Sequence, residues 1–348
     1  MATIQEVSQR AKVSMATVSR VLNGNVPVSA ATRARVLEAI AELNYHPNTF
    51  ARGLVTNRLG GVGAVINDLA SPFFGPMLSG IESVMEARGM HLMVSSGHAR
   101  ADSERDALEF LLHCHADALI VYIEALSNAD MVAFAAKGTP VVLIGRQVPE
   151  LEGQTVYLDN VAGGRLVTEH LLEHGHTRIA HITGSRAIYD SQARLEGYQQ
   201  ALAAASVPLD STLVIEGDFQ EQGGYDATKQ LLAKTDFTAL FASNDQMAAG
   251  ALNALREVGL TVPDDVSLVG YDDVLLARYL YPPLTTVRQP ITEMGRAAAQ
   301  LALQLLDSAL TSDALTGDAL TGNHASIEEV TRRFEPTLIE RQSVARRS

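Results

Sequence analysis

A short segment near the start of the chain carries side chains that suit contact with the base edges of DNA. In residues 15–22, the apolar Val18, Val21 and Leu22 recur at the spacing of one helix face. The opposite face leaves five side chains directed outward: Met15, Ala16, Thr17, Ser19 and Arg20. Arginine can donate two hydrogen bonds to guanine, methyl groups of alanine and threonine can contact thymine, and hydroxyls can bind phosphate. The same pattern also fits an ordinary three-helix bundle with a polar outer face, and periodicity alone does not separate the two.

A second set of polar side chains lies further along the chain, each where an apolar strand is predicted to end. Its members are Asn67, Asp68, Tyr122, Arg146, Asp159, Asn160, Ser243, Asn244, Asp245, Tyr271, Asp272 and Asp273. Because ligands of open α/β sheets bind outside the carboxyl ends of the strands, these groups are expected to converge on a cleft. They suit a hydroxyl-rich ligand, and Phe73 and Phe74 could stack on the apolar face of its ring. Taken singly, each polar residue could equally be a loop residue or a helix cap.

Three short helices are predicted to position the first set. Thr3 and Glu6 form the pattern of a capping box at the first helix, Ser14 begins the second, and residues 29–43 form the third. Three short helices with a tight turn between the first two indicate a helix-turn-helix headpiece.

The segment that follows, residues 49–57, contains Arg52 and Leu54. An isolated helix of this length is marginal in water, so we expect it to fold only when docked. Leu54 could then wedge into a minor groove beside Arg52. The alternative is a plain linker between domains.

Apolar strands alternating with helices are predicted from residue 62 onward. The predicted strands are 62–66, 91–95, 118–122, 141–145, 155–158, 179–182, 213–216, 239–242, 267–270 and 334–339. This order indicates parallel sheets covered by helices on both faces. The alternation of strands and helices begins again after Asp159-Asn160, so two consecutive α/β lobes with a cleft between them are expected.

The charge of the chain is unevenly distributed. Residues 1–60 contain seven Lys or Arg and three Glu, whereas the whole chain has a net charge of −13. A basic head on an acidic body is expected when one small module contacts phosphate. A secretory signal and a transmembrane span are absent from the sequence, and the single cysteine, Cys114, fits a reducing cytoplasm. A periplasmic sugar-binding protein is therefore disfavoured.

Patterns that could indicate catalysis are weak. His170 to His174 match an inverted zinc-protease pattern, but they lie where a helix is predicted to run into a strand. His113, Cys114 and His115 are adjacent and cannot all face one ion. No Ser/His/Asp arrangement or Gly-rich phosphate loop is recognisable, so we expect no enzyme activity, metal or cofactor. This disfavours a sugar-acting enzyme.

Four stretches of the headpiece and the segment after it have a recognisable order: MATI (1–4), VSMATVSRVLN (13–23), YHPN (45–48) and ARGL (51–54). With these stretches the headpiece resembles the lactose/galactose repressor family, and within it the galactose-repressor branch. The resemblance implies that Met15, Ala16 and Arg20 contact bases in the major groove and that Leu54 intercalates at the operator centre. It assigns contacts with the DNA backbone to a further set: Thr3, Ser14, Thr17, Ser19, Asn23, Ser29, Thr32, Tyr45 and Asn48.

The body resembles the same family and, through it, periplasmic sugar-binding proteins. The matching stretches are SPFF (71–74), GHTRI (175–179), RLEGY (194–198), NDQMA (244–248) and GYDD (270–273). The resemblance implies that Arg194, Asn244 and Asp272 anchor an effector and that Phe73 and Phe74 form the pocket wall. With the strand-end candidates, the expected effector site comprises Phe73, Phe74, Tyr122, Arg146, Arg194, Asn244 and Asp272.

One departure from the family is a five-residue repeat in residues 308–322, which we interpret as a surface insertion. No leucine-rich heptad run follows Arg341, which favours a homodimer over a tetramer. The expected fold is α/β, with an all-α headpiece and a two-lobed sensor of the periplasmic-binding-protein type. The expected domains are residues 1–48 (headpiece), 49–60 (hinge helix or linker) and 61–343, with lobe one at about 61–160 and 289–333 and lobe two at about 161–288.

These observations predict a cytoplasmic transcription regulator, without membrane association, that binds a near-palindromic double-stranded operator. Two recognition helices of a dimer would enter successive major grooves while the first lobes pair across the two-fold axis. A galactoside is the first choice of effector; another hexose, a nucleoside or a phosphosugar remains open. The sequence does not fix whether the ligand releases the protein from DNA, and sugar-sensing relatives favour release.

Overall fold

The headpiece forms around a small apolar core. The computed structural model describes residues 2–23, 27–45, 60–315, 330 and 332–347, and the chain divides into two compact units, residues 1–59 and 60–348. The first unit contains α1 (Ile4–Ala11), α2 (Met15–Asn23) and α3 (Ala30–Glu42). Their core is made by Val7, Val18, Val21 and Val36. The helix-turn-helix prediction is confirmed, and Lys12 makes the turn after α1 in the left-handed conformation (φ 54°).

Lobe one is built on a six-stranded parallel sheet in the order β11-β5-β4-β3-β1-β2. Its strands are β1 (Gly61–Ile66), β2 (His91–Ser96), β3 (Ala118–Val121), β4 (Val141–Ile144), β5 (Thr155–Leu158) and β11 (Arg333–Phe334). The helices α4 (Phe74–Ala87) and α12 (Ile291–Leu315) share one apolar cluster with the sheet. A separate cluster contains α5 (Ala101–His113) and α6 (Asn128–Ala135). Neighbouring strand residues join different clusters, as expected for a sheet covered on both faces.

Lobe two repeats this design on a four-stranded parallel sheet in the order β7-β6-β8-β9. Its strands are β6 (Ile179–Thr183), β7 (Val214–Glu216), β8 (Ala239–Ala242) and β9 (Ser267–Val269). The helices α7 (Asn160–Glu173) and α8 (Tyr189–Ala204) pack in one cluster, and α9 (Glu221–Lys234) and α10 (Asp245–Glu257) in the other. The short α11 (Leu275–Tyr279) follows β9.

The chain passes between the lobes three times, and the three passages lie side by side. The first follows β5, the second follows β10 (Thr286–Arg288), and the third joins β11 to β12 (Thr337–Ile339). Strand β11 pairs with β5, and β12 pairs antiparallel with β10, so each passage has a neighbour. The expectation of one continuous strand over 334–339 was wrong. The pairing breaks at Glu335-Pro336, since proline has no N–H to donate to a ladder, and the two halves join different sheets.

Glycines let three pairs of helices approach closely. In each pair, a Cβ added to either glycine would lie within 2.2 Å of a backbone carbonyl oxygen in the other helix. The pairs are Gly80 and Gly295 (α4 and α12), Gly164 and Gly197 (α7 and α8), and Gly224 and Gly250 (α9 and α10). The predicted surface insertion begins inside α12, which continues to Leu315; residues 316–329 lie outside the described part of the chain.

Candidate functional site

The second helix of the headpiece presents a polar face over the buried Val18 and Val21. Met15, Ala16 and Arg20 are exposed on α2, as the helical spacing predicted. An exposed methionine, alanine and arginine contribute nothing to the headpiece core, so their side chains are free to contact another molecule.

Several of the other DNA-contact candidates cap helices. The Thr3 hydroxyl accepts from the N–H of Glu6, whose carboxylate accepts from the N–H of Thr3, so the predicted capping box is confirmed. Ser14 and Ser29 accept from the N–H groups of Thr17 and Thr32 at 3.2 and 3.3 Å. Tyr45 is half-buried against the headpiece core. The Asn23 side chain, Asn48 and Leu54 lie outside the described part of the structure.

A cavity of about 300 Å³ opens between the carboxyl ends of the strands of the two lobes. Six of the seven expected effector residues line it: Phe73, Phe74, Tyr122, Arg194, Asn244 and Asp272. Its volume lies at the lower end of the range typical of small-molecule sites. The strand-end rule and the family resemblance therefore converge on one place.

Arg194 is the centre of a buried polar network in lobe two. Its Nε donates to Asn160 Oδ1 at 2.8 Å, and its Nη1 donates to the Ser243 carbonyl oxygen at 2.5 Å. The guanidinium lies 3.8 Å from Asp190 Oδ2 and 3.9 Å from Asp272 Oδ1. Because two hydrogen bonds and two nearby carboxyls hold its guanidinium, Arg194 is held in one orientation before any ligand arrives.

Asp272 combines an unusual backbone with a perturbed carboxyl. Its φ of 111° is rarely adopted by a residue with a side chain, and the next residue, Asp273, also has a positive φ. Gln289 Nε2 donates to Asp272 Oδ1 at 2.6 Å. Burial raises the pKa of Asp272 to about 7, against the lowering effect of Arg194. This places a carboxyl that can bind a hydroxyl group at the junction with the second passage.

Two hydrogen bonds join the lobes directly across the cavity. The Tyr122 hydroxyl of lobe one donates to Asp190 Oδ2 of lobe two at 2.8 Å. The Ser71 hydroxyl donates to Gln246 Oε1 at 3.4 Å. Burial and the neighbouring Asp190 raise the pKa of Glu124, beside Tyr122, to about 8.

Aromatic rings form the apolar side of the cavity. Phe73, Phe74 and Tyr122 pack edge-to-face with ring centroids 5.1–5.9 Å apart. Phe219 of lobe two also lines the cavity, and its carbonyl oxygen accepts from Asn244 Nδ2 at 2.9 Å. Polar groups on one side and rings on the other suit a sugar, whose ring has an apolar face and a hydroxyl edge.

The remaining expected residue, Arg146, does not line the main cavity. It lines a smaller adjoining one, where its Nη1 donates to the Leu126 carbonyl oxygen at 2.7 Å. Among the described residues its Nε and Nη2 have no hydrogen-bond partner. Asp159 and Asp245 are also strand-end residues outside the cavity lining: Asp159 caps α7, and Asp245 accepts from Thr286 at 2.6 Å.

Some lining residues were not among the seven expected effector contacts, although the strand-end rule had already singled out Asn67 and Asp68 as candidates. They are Asn67, Asp68, Ser71, His98, Ala99, Glu124, Ile188, Asp190, Asp218, Phe219, Gln220 and Gln246. The sequence offered a signal for several of these. His98, Glu124 and Asp218 follow β2, β3 and β7, where the strand-end rule applies, and Asp190 precedes Arg194 by one helical turn.

Within the described residues, no group of three or more His, Cys, Asp or Glu side chains could hold a metal ion. In the same part of the chain, no helix is long and apolar enough to cross a membrane.

Residues 3–48 match the family model of bacterial regulatory proteins, lacI family, and residues 168–344 match a periplasmic binding protein-like domain. The chain is 39% identical to the HTH-type transcriptional regulator GalR of Escherichia coli strain K12 over 346 residues, 99% of this chain and 96% of that relative. It is 38% identical to the HTH-type transcriptional regulator CelR of Thermobifida fusca over 89% of this chain and 93% of that relative.

Solved structures show the same architecture. The lac repressor dimer bound to operator and an anti-inducer superposes with a TM-score of 0.83 and 30% identity, covering 99% of both chains. The CelR–cellobiose complex superposes with a TM-score of 0.68 and 34% identity, covering 99% of this chain and 100% of that one. The headpiece, the two-lobed body and near full-length identity agree: this chain is a DNA-binding transcription regulator of the LacI family.

Proposed function

We propose that the protein represses transcription by binding a near-palindromic operator as a homodimer and that an uncharged sugar in the cleft releases it. The observation that carries the effector is the cleft itself, where buried polar anchors face a wall of aromatic rings. Galactose is the first candidate, because the chain is similar to GalR over nearly its full length. The protein would act in the cytoplasm, where Cys114 stays reduced.

For DNA, we assign base contacts to the exposed Met15, Ala16 and Arg20 of α2. The residues proposed to contact the DNA backbone are Thr3, Ser14, Thr17, Ser19, Asn23, Ser29, Thr32, Tyr45 and Asn48. Hydroxyls that cap a helix lie beside its free N–H groups, which are themselves suited to bind phosphate. Leu54 is proposed to enter the minor groove at the operator centre.

For the effector, the chemistry of Arg194 favours a neutral sugar over a phosphosugar. Arg194 is the only arginine among the described residues that line the main cavity, and Asn160 and the Ser243 carbonyl already engage it. Several carboxyl groups share the same cavity, and a phosphate would be repelled by them. Hydroxyl groups, in contrast, can donate to Asp272 and Asp190.

Regulation requires that the effector bind two arrangements of the lobes with different affinity. The sugar is proposed to contact Phe73 and Tyr122 of lobe one. It would contact Arg194 and Asp272 of lobe two at the same time, so it stabilises the arrangement of the lobes in which both pairs of residues reach the ligand. We infer that this arrangement shifts the subunit contact and disfavours folding of the hinge on DNA.

The proposed homodimer has a suitable surface on lobe two. Leu275, Tyr279 and Tyr281, here called the tyrosine patch, are 66%, 79% and 81% exposed. Exposed apolar groups clustered on one surface are typical of a contact with another protein chain. A second copy of this chain is the proposed occupant, supported by the similar fold of the lac repressor dimer. The contact expected between the first lobes would then extend to the second lobes.

The function is tested by measuring binding to a labelled near-palindromic operator at fixed salt, with and without a panel of neutral hexoses. Loss of operator binding with galactose would support induction and name the effector. Tighter binding with a sugar would reverse the proposed sign. Absence of sequence-specific binding under every condition would contradict the operator proposal.

The base-contact assignment is tested with Arg20→Ala. Loss of a two-pronged guanine contact costs about 1–3 kcal/mol and relaxes preference at one base pair. Arg35→Ala is the matched control, because it removes the same charge from an exposed position on α3. We expect Arg35→Ala to weaken all sequences alike, and an unchanged base preference in Arg20→Ala would refute the assignment.

A further inference from the structure

Glu104 is a fully buried carboxylate that no part of the proposed effector site uses. It lies on α5, and its two oxygens accept from three consecutive backbone N–H groups. Those of Glu124 and Ala125 are at 2.9–3.1 Å, and that of Leu126 is at 2.7 Å. Successive N–H groups that converge on one anion form a nest, here filled by a side chain of the protein itself.

The geometry requires a carboxylate. Glu104 lies in the first turn of α5, where the helix dipole favours negative charge. A glutamine of the same shape would turn an NH₂ group toward N–H donors, so at least one of the three amides would lose its acceptor. An unsatisfied buried donor is costly, and the loop would have to move to relieve it.

The same loop is also held by Arg146. Arg146 Nη1 donates to the Leu126 carbonyl oxygen at 2.7 Å, while the Leu126 N–H donates to Glu104, so side chains of opposite charge hold the two polar groups of this residue. The Glu104 carboxylate attracts the Arg146 guanidinium. Here Arg146 holds the wall of the cleft, a role different from the direct effector contact that its strand-end position suggested.

The held loop forms part of the cavity wall. Glu124 lines the main cavity, and Tyr122, two residues earlier, makes the bond to Asp190 across it. Glu104 also supports a second loop, since a Cβ added to Gly97 would lie 2.6 Å from Glu104 Cγ. The two residues after Gly97, in left-handed conformations, line the cavity as well. One carboxylate therefore lies beneath two of the loops that shape lobe one's side of the cleft.

We propose that Glu104 and Arg146 are positioning residues that clamp residues 124–126 and so set the effector affinity of the cleft without contacting the effector. The inference rests on the proposed sugar-binding function for its affinity readout, whereas the clamp itself can be measured without any ligand. At metal sites, losing the hydrogen bonds that support the ligating residues weakens affinity about 10–100-fold, and we expect the lower end of that range here.

The test compares full-length wild type with Glu104→Gln and Arg146→Met. Hydrogen exchange at the amides of residues 124–126 is expected to accelerate at least about 10-fold in both variants. Titration with galactose is expected to show about a 10-fold weaker dissociation constant, while operator affinity without sugar stays within about 2-fold. Leu111→Ala is the matched control, since it removes core packing from the same helix and leaves the hydrogen bonds from Glu104 and Arg146 to the loop in place.

Each outcome decides one question. Accelerated exchange and weaker galactose binding in both variants, with galactose affinity retained in Leu111→Ala, would support the clamp. Unchanged exchange at 124–126, or equal weakening in Leu111→Ala, would overturn it. If wild type does not bind galactose, the proposed effector fails, and the exchange rates alone then decide the clamp.

Discussion

Replacing Arg194 by methionine should destabilise the body by leaving two buried carboxyls without their cation. The variant loses hydrogen bonds to Asn160 and to the Ser243 carbonyl, and it removes a guanidinium stacked 3.8 Å from the centroid of the Tyr271 ring. Removing one partner of a buried ion pair costs about 3–5 kcal/mol, and methionine recovers part of the packing. We therefore expect a loss of about 4 kcal/mol in the free energy of unfolding at pH 8.

The pH dependence of this loss identifies its cause. Arg194 opposes the effect of burial on Asp272, so its removal moves the pKa of Asp272 further above about 7. A carboxyl whose pKa is raised in the folded state loses stability as pH rises through that pKa. The deficit of the variant should therefore be about 1 kcal/mol smaller at pH 6 than at pH 8.

Urea unfolding at pH 6 and pH 8 measures both quantities. Arg165→Met is the matched control, because Arg165 is exposed and forms an ion pair with the equally exposed Glu169 at 3.7 Å. We expect a change within about 0.5 kcal/mol. A deficit below about 1 kcal/mol for Arg194→Met, or one equal at both pH values, would refute the electrostatic account.

Three further outcomes are expected. The pKa of Glu124 is raised to about 8 in the folded protein, so ionisation of this carboxyl destabilises the wild type as pH rises toward that value. The free energy of unfolding of Glu124→Gln should therefore exceed that of wild type by on the order of 1–3 kcal/mol at pH 8.5 and nearly equal it at pH 5. Parallel pH profiles of the unfolding free energy would contradict this. Gly250→Ala should cost about 3 kcal/mol in the same denaturation assay, because its Cβ would meet the Glu221 carbonyl at 1.9 Å. Gly153→Ala is the control, because its Cβ would approach only the end of the Arg332 side chain at 4.0 Å, and we expect a change within about 1 kcal/mol. An equal loss in both variants would contradict the steric account. Tyr279→Asp in the tyrosine patch should weaken the dimer in sedimentation at micromolar concentration with unchanged sensor stability, and an unchanged dimer dissociation constant would exclude this surface.

The strands and helices were predictable because they depend on local periodicity. Strands β1, β5 and β8 begin and end within one residue of expectation, and the capping box at Thr3 needed only two residue types at fixed spacing. The cleft was predictable in outline, since the carboxyl ends of parallel strands must meet at one edge. Asp272 followed from the strand-end rule as well as from the family resemblance, whereas Arg194 came from the resemblance alone.

What the sequence could not supply was the direction of each side chain after its strand. Asp159 and Arg146 follow strands as Asp272 does, yet one caps a helix and the other holds a loop from outside the main cavity. Glu104 gave no signal at all, because its partners are backbone amides that lie 20–22 residues away. The broken strand at Glu335-Pro336 depends on a pairing choice between two sheets, which local pattern does not encode.

The third passage between the lobes has a consequence for how the molecule is made. Residues 333–334 add the edge strand to lobe one, while residues 337–347 pair with β10 and hydrogen-bond along lobe two, including Leu268 N–H to the Ser343 carbonyl. The ribosome must therefore add residues 333–347 before either lobe can be complete, whereas the headpiece has long since emerged. During synthesis, the DNA-binding headpiece therefore emerges before the two-lobed body is complete. A chain stopped before residue 333 would contain the headpiece but neither lobe in its complete form.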